Sequence, residues 1–213
     1  ATAILPTLSE MFSNQQFDAL KMKIERAAKV MLTLTVPIAI IAGMVLLPLI
    51  RGFLGLEETA TMRVVNVSQV FLLGIVGHSL VELFVRSFYA LQKPRVPLLG
   101  SAFTLVVFIL FGIVLSPLLE AVGIASANTI AYTLQAILLL VLLSKTMPAP
   151  FRLGGSFLKS LLAAAIGGAA AYALVNYAPV LAGTLIGAVA AFGVGILLAG
   201  LVLRRDLREI TEL

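Results

Sequence analysis

Charge in this chain comes in clusters, and between the clusters the sequence stays apolar for longer than a soluble helix or strand requires. A run of 18 or more apolar residues reads as a membrane-spanning helix, because about 20 residues at 1.5 Å each cross a hydrocarbon core of roughly 30 Å. Six such spans are predicted, over 27–50, 64–89, 96–115, 122–143, 157–174 and 180–203. The expected fold is therefore all-α, a polytopic membrane helix bundle. Composition agrees: apolar residues make up 61% and charged residues 12% of the 213. Soluble domains carry roughly 45–50% and about 25%.

Ahead of the first span, "ILPTLSE" reads as the end of an earlier helix. "FDALKMKIERAAK" then alternates apolar and basic positions at helical spacing, as a short amphipathic segment at a membrane surface does. No signal peptide is visible, and a start without Met in apolar sequence suggests a piece of something longer. The implied organisation has five parts. Residues 1–26 hold a helix end and a cytoplasmic amphipathic segment, and 27–143 form a four-helix part. Residues 144–157, which include "SKTMPAPFRLGG", form a cytoplasmic linker. A terminal helix pair over 158–203 and a cytoplasmic tail over 204–213 complete it.

Basic residues set the orientation. With six spans, one side would hold Lys21, Lys23, Arg26, Lys29, Arg86, Lys93, Arg95, Lys145, Arg152, Lys159, Arg204, Arg205 and Arg208. The other side would hold only Arg51 and Arg63. Both ends are thus expected in the cytoplasm. The net charge of +5 follows from these flanks and needs no nucleic acid to explain it.

Function classes narrow next. There is no cysteine and one histidine, which excludes thiolate and multi-histidine metal sites. No Gly-rich phosphate loop follows a strand, and no carboxylate pair sits at hydrolase spacing, so neither enzyme nor cofactor is expected. In the fifth and sixth spans, Gly167, Ala171, Gly183 and Gly187 recur at four-residue spacing, with Ala191 and Gly195 continuing the row. Small residues at that spacing let helices approach closely in lipid. Pro37 and Pro48 in the first span are candidate kink sites, and Pro94 and Pro97 mark a tight turn between the second and third spans.

The second span carries the candidate site. In "HSLVELFVRSFYALQKPRVP", His78, Glu82 and Arg86 stand four apart and share one face of a helix. Ionisable residues inside a membrane are costly and mark pathways or sites. Arg86 could bind an anion through its planar fork, with Glu82 orienting it and His78 one turn deeper. The competing reading has Arg86 reaching the cytoplasmic interface with Glu82 merely pairing it. Asn66, Gln69, Asn128 and Gln135 are further polar positions within or beside spans. They could line a pathway, and residues of this kind also hydrogen-bond from helix to helix.

Two segments carry a resemblance. "ATAILPTLSE" with the basic stretch and Pro-containing span that follow, and "VRSFYALQKPRVP", resemble the MurJ (MviN) family of lipid II flippases. At the second, Lys93 and Val96 depart from that family's acidic residue and Thr-Pro. The resemblance implies a flippase of the multidrug/oligosaccharidyl-lipid/polysaccharide superfamily in the bacterial cytoplasmic membrane. Its substrate would be a lipid-linked anionic peptidoglycan precursor, moved by alternating access. The resemblance further implies partners in membrane lipids and a missing N-terminal lobe, and no nucleic acid or cofactor. The family's charged cavity motif would lie before residue 1. Other transporters of the superfamily, or a non-transporting scaffold, stay open at this point.

Overall fold

The computed structural model describes residues 4–177 and 184–204. The chain forms α1 (Ile4–Ser13), α2 (Phe17–Leu54), α3 (Glu58–Ala90), α4 (Arg95–Thr146), α5 (Gly154–Tyr177) and α6 (Leu185–Val202), with no strand among the described residues. Helix is what an apolar chain must adopt in lipid, where backbone groups can only be satisfied within their own segment. Five of these helices are long and apolar enough to cross a membrane.

Six predicted spans become five helices because α4 contains two of them. Its helical dihedrals break at Glu120 (φ 50°, ψ −127°). The half over 121–146 then runs back along the half over 95–119, so that Gly100 faces Gln135 and Leu139. This reversal uses almost no loop. A Cβ on Gly123 would lie 2.2 Å from the Leu115 carbonyl oxygen, so only glycine fits there. Each half has about 25 residues, or roughly 37 Å, which is enough to cross the hydrocarbon core.

The amphipathic stretch runs into the first span without a break. The resulting α2 has 38 residues, about 57 Å of helix, nearly twice the roughly 30 Å core. Its charged first turns must therefore project beyond the apolar layer. Pro37 and Pro48 are buried inside α2, and the helix continues through both. At the next turn, Pro94 caps α4, and Gln92 takes a left-handed φ of 55°.

Helix α2 is the spine, with α3 on one side and α5 and α6 on the other, while α4 packs on α3. One core gathers Leu20, Ile24, Phe84, Phe88, Leu139 and Leu143. The other joins Ile41 and Val45 to alanines of α5 and α6. There the predicted close approach occurs: a Cβ on Gly167 would sit 2.4 Å from the Gly195 carbonyl oxygen. Ala171 lies in the same seam. Gly187 is buried, and its N–H donates to the Thr184 hydroxyl at 3.0 Å. Gly183 lies outside the described residues.

The α3–α4 seam positions the candidate site. Gly74 and Gly77 bring α3 against Thr129 and Thr133, where a Cβ would stand 2.7 Å and 3.1 Å from their nearest atoms. Thr129 also donates its hydroxyl proton to the Val70 carbonyl at 2.9 Å.

Candidate functional site

His78 follows Gly77 on α3, so the tight seam delivers its ring to α4. It stacks on Tyr132, with ring centroids 3.5 Å apart and planes 26° from parallel. Its Nε2 lies 3.3 Å from the Asn128 Oδ1. If Nε2 carries the ring proton it donates to Asn128. One turn on, the Arg86 Nε donates to the Glu82 Oε1 at 2.9 Å, and the Arg86 Nη2 reaches the same oxygen. The i,i+4 spacing makes this pairing local, and the two charges cancel.

All three residues share one stripe, which the six helices do not enclose. Glu82 is 56% exposed and Arg86 23% exposed in their side chains, and His78 is exposed. The arrangement can release a guanidinium to an incoming anion without breaking any contact between helices. Of the other polar positions, Gln69 donates to the Gly43 carbonyl on α2 at 2.9 Å. Asn128 meets His78 across helices, Gln135 is buried in the α3–α4 region, and Asn66 is exposed.

An apolar cleft of about 530 Å³ lies between α2, α3, α4 and α5, walled by Leu32, Val36, Leu80, Ala136, Phe157 and Leu161. Among the described residues of the terminal pair, those of α5 line it.

Sequence reasoning missed one charged centre. Glu25 is 8% exposed, with carboxylate oxygens 2.5 Å from Lys21 Nζ and 2.7 Å from Lys29 Nζ. The Arg152 backbone N–H also donates to it. Lys21 Nζ stands 5.7 Å from the Phe151 ring centroid. This cluster fastens the start of α2 to the segment joining α4 and α5. The spacing Lys21, Glu25, Lys29 was the available signal, since charges four apart share a helix face. Among the described residues no three His, Asp or Glu side chains converge as a metal site would need.

The comparisons bear on the whole chain. The profile of the family described as lipid II flippase MurJ matches residues 1–201. A probable lipid II flippase MurJ of Rhizobium meliloti (strain 1021) is 26% identical over 186 residues, covering 83% of this chain and 34% of that protein. A solved structure of lipid II flippase MurJ in an inward closed conformation has a TM-score of 0.79. It is 20% identical and covers 97% of this chain and 43% of that one, a likeness of fold. The sequence thus spans about a third of the first protein and under half of the second. On the match over residues 1–201, the chain belongs to the MurJ family of lipid II flippases.

Proposed function

We propose that this chain is the C-terminal portion of a flippase that carries lipid II across the bacterial cytoplasmic membrane by alternating access, without covalent chemistry. The observation that carries the reading is the Arg86–Glu82 pair on a membrane-spanning helix, on a face the other described helices leave open. A lipid-linked pyrophosphate brings negative charge into a low-dielectric setting, where an unpaired anion is very costly. Arg86 supplies the compensating charge, Glu82 holds the guanidinium while no anion is present, and His78 adds a hydrogen bond one turn away. The apolar cleft beside α5 suits part of the lipid chain. Glu82 already serves Arg86, which disfavours the cation-coupled exporter that a free deep carboxylate would suggest. The N-terminal lobe is the necessary partner, the described helices form its counterpart, and both ends of the chain face the cytoplasm.

The test uses the full-length protein in vesicles with a lipid II flipping assay. Arg86→Ala should slow flipping at least about tenfold, the effect of losing one charge-assisted hydrogen bond pair. Arg204→Ala, at the end of the terminal helix pair, should leave it near wild type. Equal rates for the two variants would refute the reading.

A further inference from the structure

One wall of the apolar cleft is held differently from the others. Phe157 and Leu161 face it from α5, opposite Leu80 of α3 and Ala136 of α4. Yet α5 packs on α2 and α6 and on neither α3 nor α4. No contact between helices therefore sets the distance of α5 from α4. At the Gly154 end that distance is set by residues 147–153, the non-helical segment that joins the two helices.

That segment is stiff and pinned. Pro148 and Pro150 fix φ at two of its residues. Met147 and Leu153, at its two ends, are buried in the core that holds Leu20 and Ile24, and Leu153 also lines the cleft. Beside it stands Glu25 of α2, which accepts the Arg152 N–H while its partner Lys21 reaches the Phe151 ring. If only packing mattered, an apolar side chain would serve at this buried position, because a buried carboxylate is costly unless paired. What the carboxylate adds is a fixed acceptor for one backbone N–H, next to a residue of the cleft wall.

We propose that Glu25 is a positioning residue for the cleft. Through Arg152 it holds the segment over 147–153 so that the first turns of α5 stand as a preformed wall for a long apolar chain. This rests on the reading of the cleft as the seat of a lipid chain. Glu25 itself does not line the cleft. It acts by pre-organisation, which raises affinity because less has to be ordered on binding.

The test uses full-length protein with spin labels at Val141 on α4 and Leu158 on α5, both exposed and outside the cleft lining. Double electron–electron resonance should give a narrow distance distribution when Glu25 is present. In Glu25→Ala it should broaden and shift to longer distances. Glu25→Gln keeps the acceptor and should shift it less, and it carries the test should Glu25→Ala fail to fold. A second pair, Leu98 with Val141 on the two halves of α4, reports general loosening and should stay narrow in both variants. Native mass spectrometry with geranylgeraniol, an uncharged prenyl chain, should show binding several-fold weaker in Glu25→Ala. No binding to the parent protein would overturn the lipid-chain reading of the cleft, while the Val141–Leu158 shift would still support the hold of Glu25 on α5. An unchanged Val141–Leu158 distribution in every folded variant, or equal broadening of the Leu98–Val141 pair, would overturn the proposal.

Discussion

The carbonyl oxygen of Gly167 occupies the place where a side chain on Gly195 would begin, 2.8 Å from that Cβ position. The relation is mutual, since a Cβ on Gly167 would stand 2.4 Å from the Gly195 oxygen. Backbone meets backbone between α5 and α6, and neither can give way as a flexible side chain could. Such contact supplies the dispersion that holds helices together where no hydrophobic force acts between them. Gly167→Ala and Gly195→Ala should each lower stability by about 1–3 kcal/mol, the usual cost of overpacking. Gly168→Ala should cost less, because its Cβ would meet only Ile40 and Met44 side chains, at 3.3 Å and 3.7 Å. Thermal unfolding in detergent checks the order. A Gly168 variant as damaged as the other two would contradict it.

The reversal inside α4 rests on two residues with opposite needs. Glu120 holds φ 50° and ψ −127°, a region glycine enters far more easily. Gly123 has ordinary backbone angles but no room for a Cβ. Glu120→Gly should therefore be neutral or stabilising by about 1 kcal/mol, while Gly123→Ala should destabilise and open the hairpin. A cysteine pair at Gly100 and Gln135 would report that opening as slower disulfide crosslinking. Equal crosslinking in the Gly123→Ala background would count against a tight reversal.

This turn also shows what a sequence can and cannot reveal. Hydropathy placed the two spans of α4 correctly because burial in lipid acts on each residue alone. It showed a gap between them but not that a single residue with non-helical angles closes it. Pro117, Glu120 and Gly123 were the local signs. The row from Gly167 to Ala171 was legible because helical spacing is local too. Its partner in space is Gly195, the last residue of the predicted row, and only packing selects that register. The stripe His78, Glu82, Arg86 was visible for the same reason as its Glu82–Arg86 bond: both arise within one helix. His78's neighbours were not legible. Asn128 and Tyr132 lie 50 and 54 positions away, brought near by Gly74 and Gly77 at the α3–α4 seam.

Glu25 makes a further prediction. Its carboxylate separates two ammonium groups and receives the Arg152 N–H. Glu25→Ala would leave Lys21 and Lys29 on one face with no counter-charge and release the segment before α5. The expected loss is about 1–3 kcal/mol, as for a charge-assisted hydrogen-bond cluster at a partly wet surface. Trypsin cleavage at Arg152 should speed several-fold, because local opening exposes that bond. Glu25→Gln, which keeps the acceptor without the charge, should fall between. Unchanged cleavage in Glu25→Ala would remove Glu25 from this role.

Orientation gives the last prediction. Ser13 and Leu56 are both exposed and lie near opposite ends of α2. About 57 Å of helix separates those ends, so they cannot share a membrane face if α2 crosses. The charge bias predicts Ser13 in the cytoplasm and Leu56 outside. The chain has no cysteine, so single-cysteine variants report cleanly. In intact cells an impermeant maleimide should label Leu56→Cys and spare Ser13→Cys. After permeabilisation both should react. Efficient labelling of Ser13→Cys from outside would invert the topology. It would also put the basic clusters, with Lys21, Glu25 and Lys29 among them, on the outer surface, against the force that orients such segments during insertion.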